Sequence, residues 1–399
     1  MQYLSILISL FIILSCAPPN SQNEIQRLDD STMQEEQLTQ HIQALVDSAN
    51  VTGLTVSIFN EHSLRYQKAF GYSNVASNDS LQTNQVFYGA SLSKAVFGYI
   101  VAELVHEGKI DLDKPLEHYL EVPLPEMPFK REWRNFSKIA DDPRYKIITP
   151  RMCMAHTTGL PNWRWLSREG EFTPDGEIKI YFDPGTEYSY SGEGIRLLQK
   201  VMEKHLDVGL EELAQDRVFT PLEMNMSSYV WQDRFEDVYV NGHTKDQQIF
   251  EKDIEDEAGA AGSMETTPED YAKFLTHVMT LASKDSEITN ILFEPNIEIN
   301  SKKQFGPLSL EKTDANKTIG LNYGLGWGIL DSPYGKGYFK EGHSEGFQHY
   351  SIIFPEAGIG MLLMANSDNA ESIFKELLEL GIKDTYTPWY WEHYIPYNM

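Results

Sequence analysis

The sequence predicts an α+β fold: a mainly antiparallel sheet built from strands at both ends of the chain, flanked by helices, with a helical region inserted between them. Three observations lead there. Near the start, "VTGLTVSIFN" and "SLRYQKAFGYSNV" read as two strands joined by a short polar turn at "NEH". Near the end, "YGLGWGIL", "GYFKEGH", "FQHYSIIFP" and "IGMLLMANS" read as strands again. The middle, from Ser91 to about residue 285, is dominated by helices and long loops.

The elements follow in chain order. "MQYLSILISLFIILSCAPPN" holds an apolar run from Leu4 to Leu14, too short to span a bilayer comfortably but suited to a signal-peptide core over residues 1–15. The run ends in "ILSC", which resembles a bacterial lipobox with Cys16 as the lipid-bearing residue. A polar, Pro-containing tether is expected over residues 16–34. The chain is thus expected to be an exported lipoprotein of a bacterial cell envelope, membrane-anchored and facing the periplasm or the surface. The domain itself spans residues 35–385 and opens on a helix, "EEQLTQHIQALVDSA". Its inserted helical region covers roughly 91–285. A last helix, "ESIFKELLELGI", precedes an aromatic-rich tail over 386–399 that is expected to pack on the body.

Composition narrows the function. The 399 residues carry 33 Lys+Arg against 59 Asp+Glu, a formal net charge of -26, which repels nucleic acid and anionic membrane surfaces. No nucleic-acid partner is expected. An apolar fraction of 41% suffices for a packed core. The only cysteines are Cys16 and Cys153, so lipidation of Cys16 would leave no intramolecular disulfide. Cys153, in "RMCMAH", reads as a buried, inert thiol. The 11 histidines make no H-x-H, H-E-x-x-H or Cys/His cluster, and there is no P-loop. Neither a metal nor an organic cofactor is expected.

The chemistry centres on S-x-x-K, a spacing that sets a hydroxyl and an amine on one helix face. It occurs at Ser91, Ser309 and Ser372. Only "SLSKAVFGYIVAELVHEG" is apolar on nearly every face, the mark of a buried helix, with Gly108 as its stop signal. There Lys94 is desolvated and its pKa falls, which makes a neutral amine one turn from the Ser91 hydroxyl a general base. A structural lysine paired with a buried carboxylate is the alternative. A rival nucleophile is Ser344 in "GHSEG", with Asp368 and His393 following in α/β-hydrolase order. An elbow needs a strand before it and a helix after it. Here both flanks read as strands, which argues for a turn instead.

Ordered landmarks then carry a resemblance. "YGASLSKAVFGYIVAELVHEG", "ITPRMCMAHTTGLPNW", "FDPGTEYSYSGEGIRLLQ", "GAAGSMETTPEDYAKFLTHVM" and "YGLGWGI" are similar to successive motifs of the serine β-lactamase and penicillin-binding protein superfamily, in its class C-like branch, over roughly residues 40 to 385. The resemblance implies a β-lactamase-like fold and an acyl-enzyme on Ser91. It implies Lys94 as base or proton relay and Tyr190 as the phenol exchanging protons with Ser91 and the leaving group. The third motif, Lys-Thr-Gly or His-x-Gly, finds its best match beginning at His343. His343 and Ser344 would contact substrate, and an N–H near Gly346 would join that of Ser91 in an oxyanion hole. Two departures stand out. Gly192 replaces the usual Asn of the second motif, and Glu345 stands where glycine is expected. In that register the strand also lacks a lysine for a lactam carboxylate. A peptidase or esterase acting on a small-molecule or peptide ester or amide is therefore expected over an efficient β-lactamase. Trp163 and Trp165 are expected on a loop near the mouth, lining an acyl pocket or capping the helical region. The alternative is a catalytically silent lipoprotein that binds peptide or lipid in the same pocket.

Overall fold

The computed structural model describes residues 23–176 and 178–399. The signal-peptide expectation and Cys16 lie outside the described residues. The chain opens with a hairpin (β1, Glu24–Gln26; β2, Thr32–Gln34), helix α1 (Glu35–Ser48), and strands β3 (Gly53–Asn60), β4 (Ser63–Asn74) and β5 (Asp79–Ser80). Strand β6 (Phe87–Tyr88) leads through a 3-10 turn at Ala90–Leu92 into α2 (Ser93–His106). The inserted region continues with α3 (Pro150–Met154), α4 (Gly192–Leu206), α5 (Leu210–Ala214), β7 (Glu265–Thr266), α6 (Pro268–Ala282) and α7 (Glu287–Leu292). Strands β8 (Ile297–Glu298), β9 (Asn322–Tyr323), β10 (Gly328–Ser332), β11 (Gly335–Ser344), β12 (Phe347–Phe354) and β13 (Ile359–Ala365) precede α8 (Phe374–Gly381).

One sheet holds nine strands in the order β5-β4-β3-β13-β12-β11-β10-β9-β8, every neighbouring pair antiparallel. The first and last parts of the chain meet at the β3–β13 pairing, as the α+β, β-lactamase-like expectation requires. The turn between β3 and β4 is two residues, Glu61 and His62, both at positive φ (50° and 60°). Paired positive φ matches the right-handed twist of the flanking strands, even without the usual Asn-Gly.

Side-chain alternation on β13 divides the interior in two. Leu362 and Met364 point into a core shared with α2, α4 and α6. Ile359, Met361 and Leu363 point into a second core shared with α1, α8 and the tail. Helix α2 is buried along most of its length, as an all-round apolar sequence demands.

Two segments differ from expectation or extend it. Residues 24–34, which composition places in the tether, form the β1–β2 hairpin instead. Ile25 and Leu28 are buried, and Asn60 bonds the backbone of Gln26 on both sides. The tail packs as expected: Trp391 is buried, its Nε1 donates to Ser301 Oγ (3.1 Å), and its carbonyl accepts from Gln304 N (3.0 Å). It thereby holds a loop whose Phe305 packs edge-on against Tyr190, ring centroids 5.4 Å apart. Trp391→Ala should lower unfolding free energy by about 3–5 kcal/mol, the usual cost of emptying a buried aromatic site. Denaturant titration by tryptophan-independent circular dichroism checks this, and a loss below 1 kcal/mol (roughly the surface-substitution range) would contradict the packing described.

Candidate active site

The 3-10 turn at Ala90–Leu92 presents Ser91 at the start of α2. Ala90 adopts φ 45°, a left-handed conformation that costs a non-glycine residue about 1–2 kcal/mol. The turn is held from both sides: Gly89 N donates to the Met264 carbonyl (2.7 Å), and Ser93 Oγ accepts from Met264 N (3.1 Å). One turn on, Lys94 Nζ lies 2.9 Å from Ser91 Oγ and also donates to the Ala261 carbonyl. Lys94 is only 2% exposed. Burial, reinforced by the charge of Lys340, drives its pKa well below the usual lysine value.

Tyr190 stands against this pair. Its ring lies 5.0 Å from Lys94 Nζ, and the nearby Ser91 hydroxyl lowers the phenol's pKa slightly. Burial pushes the phenol up to about 12 although Lys340 opposes the shift. Behind it, His156 packs on the Tyr190 ring at 4.2 Å, and its Nδ1 accepts from Ser191 N (3.1 Å). Burial, with the charge of Lys340, holds the His156 pKa well below its ordinary value.

Lys340, on β11, was not among the expected site residues. It is fully buried, and its Nζ donates to Tyr190 Oη (3.0 Å) and to the Glu341 carbonyl (2.9 Å). It also forms an ion pair with the Glu341 carboxylate at 2.8 Å. Burial disfavours charge on both partners, but each holds the other ionised: Lys340 sits above its usual range and Glu341 below. Two residues on, Gly342 lets the strand approach the nucleophile turn; a methyl group there would come within 3.1 Å of the Gly89 carbonyl oxygen and 3.3 Å of Leu92 N. Lys340-Glu341-Gly342 therefore takes the Lys-x-Gly place. The expectation that this motif begins at His343, with no strand lysine at the site, is corrected by three residues.

The cleft over Ser91 encloses about 480 Å³. His343 and Ser344 line one wall, with Glu345 beside them. His343 pairs with Glu371 (3.3 Å), and that carboxylate raises its pKa. Gly346 does not reach the cleft: its N–H donates to Asp368 Oδ1 (2.9 Å), and it packs on the backbone of Gly242 and His243. An oxyanion contact from Gly346 is therefore corrected. The β10 pairing stops at Phe339, so the following residues of β11 present an open edge toward the 3-10 turn.

Gly192 and Glu193 of α4 form the opposite wall with Asn162 and Trp163. A side chain at 192 has no room, because its Cβ would fall 2.6 Å from the Asn162 carbonyl oxygen. The Asn162 carboxamide accepts from Gly192 N (3.1 Å) and so occupies the ground that an Asn at 192 would take. The carboxamide at this wall of the cleft thus belongs to another segment. Trp163 is 48% exposed at the mouth and packs at a tilt against Trp165 (5.2 Å), which packs on Trp133 (5.0 Å).

The competing sites dissolve. Ser344 ends β11 and a two-residue turn leads to β12, so strands flank it on both sides. Lys375, the partner expected for Ser372, pairs with Glu379 at the surface. Burial pushes the Cys153 thiol up, away from reactivity. Among the described residues no His/Cys/Asp/Glu group could hold a metal ion.

Comparison with known proteins places the chain in a family. The family model described as Beta-lactamase matches residues 38–381. A penicillin-binding protein of Bacillus subtilis strain 168 is 24% identical over 313 residues, covering 72% of this chain and 61% of the relative. The teichoic acid D-alanine hydrolase of Staphylococcus aureus strain NCTC 8325 is 22% identical over 258 residues, covering 62% of this chain and 59% of that one. The chain thus spans about three-fifths of the length of these two relatives. Among solved structures, an octameric penicillin-binding protein homologue from Pyrococcus abyssi shares the fold, with a TM-score of 0.69, 20% identity, and coverage of 90% of this chain and 80% of the other. The chain belongs to the Beta-lactamase family, within the serine hydrolase superfamily of penicillin-binding proteins and β-lactamases.

Proposed function

We propose that the protein hydrolyses an ester or amide through an acyl-enzyme on Ser91. The observation that carries this reading is the 2.9 Å approach of a buried Lys94 amine, its pKa driven down by burial and by Lys340, to the Ser91 hydroxyl. As Oγ attacks the substrate carbonyl, its proton passes to Lys94 Nζ. Tyr190 gives its phenolic proton to the leaving group and regains the one held by Lys94; water then attacks the acyl carbon, loses a proton to the same groups, and the Ser91 oxygen departs reprotonated as the acid is released. The N–H of Ser91 and one from the open edge of β11 face the developing oxyanion.

An esterase or peptidase is favoured over an efficient β-lactamase, now for a different reason. The strand lysine exists, but Glu341 and Tyr190 engage its charge. The staphylococcal relative is named a teichoic acid D-alanine hydrolase, which makes a D-alanyl derivative a sensible first substrate. Export and lipid anchoring at Cys16 remain part of the proposal and rest on the "ILSC" motif.

Three outcomes are expected. Ser91→Ala should abolish both ester turnover and fluorophosphonate labelling read by intact mass, while Lys94→Met should cost about 10²–10⁴-fold in kcat/KM. Turnover that survives Ser91→Ala would reject Ser91 as the nucleophile, whereas a wild type with neither turnover nor labelling would leave only the binding-protein reading. The pH–rate profile should show an acid limb, because protonated Lys94 cannot accept a proton. Since Lys340 lowers the Lys94 pKa, Lys340→Met should move that limb to higher pH; a limb that stays put counts against the coupling. Finally, Cys16→Ser should release the protein from membranes, as fractionation would show.

A further inference from the structure

Four basic side chains line the cleft: Lys94, Arg134, Arg196 and His343. Three are accounted for. Lys94 is held neutral, Arg134 pairs with Glu257 (3.1 Å), and His343 pairs with Glu371 (3.3 Å). Arg196 is different. It is half-buried, yet among the described residues it has no carboxylate within ion-pair distance and makes no side-chain hydrogen bond. Its nearest candidate on the same helix, Glu193, is taken by Arg164 at 2.8 Å.

A partly desolvated guanidinium without a partner is costly to keep. The cost is recovered when a ligand supplies a planar oxyanion that accepts two parallel N–H bonds. Position matters too. Arg196 lies four residues after Gly192, so it shares that residue's helix face about 6 Å further along the axis. It therefore looks into the cleft from the wall opposite β11. On the β11 wall, Lys340 is sealed beneath Tyr190 and neutralised by Glu341. The cleft's available positive charge has moved from the strand to α4. Glu193, Glu255, Glu257 and Glu345 also line the cleft, so a singly charged carboxylate suits it better than a phosphate dianion.

We propose that Arg196 binds a carboxylate of the substrate and places it on the α4 wall of the cleft, making the enzyme selective for anionic esters or amides. This rests on the cleft being the substrate site proposed above.

The test compares matched esters: para-nitrophenyl hydrogen glutarate against its methyl ester, and carboxyphenyl acetate against carbamoylphenyl acetate. The wild type should prefer the anionic member of at least one pair in kcat/KM. Arg196→Met should reduce that ratio about 10- to 100-fold, the range for a charge-assisted pair, and Arg196→Lys should restore part of it. No preference in the wild type, or a ratio unchanged in Arg196→Met, overturns the proposal. Calorimetric binding of hydrogen glutarate ester to Ser91→Ala protein, with and without Arg196→Met, reads the same contact without turnover. Binding that depends on Arg196 supports it even if Ser91 chemistry fails, and binding that ignores Arg196 rejects it even if Ser91 chemistry stands.

Discussion

Two lysines, Lys94 and Lys340, are buried in one site, and among the described residues only Lys340 has a carboxylate, Glu341, as its ion-pair partner. That imbalance organises the rest. Both amines cannot carry a proton at modest cost, because each desolvated charge needs a partner. Lys340 has Glu341 within 2.8 Å and a tyrosine oxygen within 3.0 Å, so it keeps its charge. Lys94 has only a backbone carbonyl and the Ser91 hydroxyl, so it gives its proton up. Glu392, reaching in from the tail, does not restore the balance, since burial and Glu341 hold it neutral. A basic amine beside a hydroxyl is thus the product of where one carboxylate was placed.

The fold's task is to keep that arrangement dry and close. Strand β11 must come near the nucleophile turn, which Gly342 permits. The turn must accept an unfavourable backbone at Ala90, which bonds from the Met264 segment stabilise. Tyr190 must stay packed, and its neighbours come from three separate regions: His156, Lys340 and Phe305. The last of these is held by the tail through Trp391. Residues far apart in the chain thereby share responsibility for one phenol.

Much of this was legible in the amino-acid order. Strand runs at both ends and the apolar α2 were readable because burial on both faces leaves dense apolar patterns. Ser91, Lys94 and Tyr190 were readable because short spacing and a named motif point to each. Other features had no local signal. The β1–β2 hairpin buries Ile25 and Leu28 inside a polar segment too short to show periodicity. In "KEGHSEG" two overlapping motif registers compete, and only the reach of Lys340 to Tyr190 and the closeness of Gly342 to Gly89 decide between them. Asn162 lies 30 residues from Gly192, and no spacing rule joins them. Arg196 reads as an ordinary helical arginine until its neighbours are seen to be occupied.

The exchange between Gly192 and Asn162 also bears on how such a site changes over generations. A side chain at 192 collides with the backbone of residue 162, and that clash is not relieved by trimming the Asn162 side chain alone. Reinstating asparagine at 192 therefore requires the loop carrying Asn162 to be rebuilt first. Each intermediate would lack a properly seated amide at the cleft wall. Moving an amide to position 192 is therefore a change in two segments at once, beyond the reach of a single substitution.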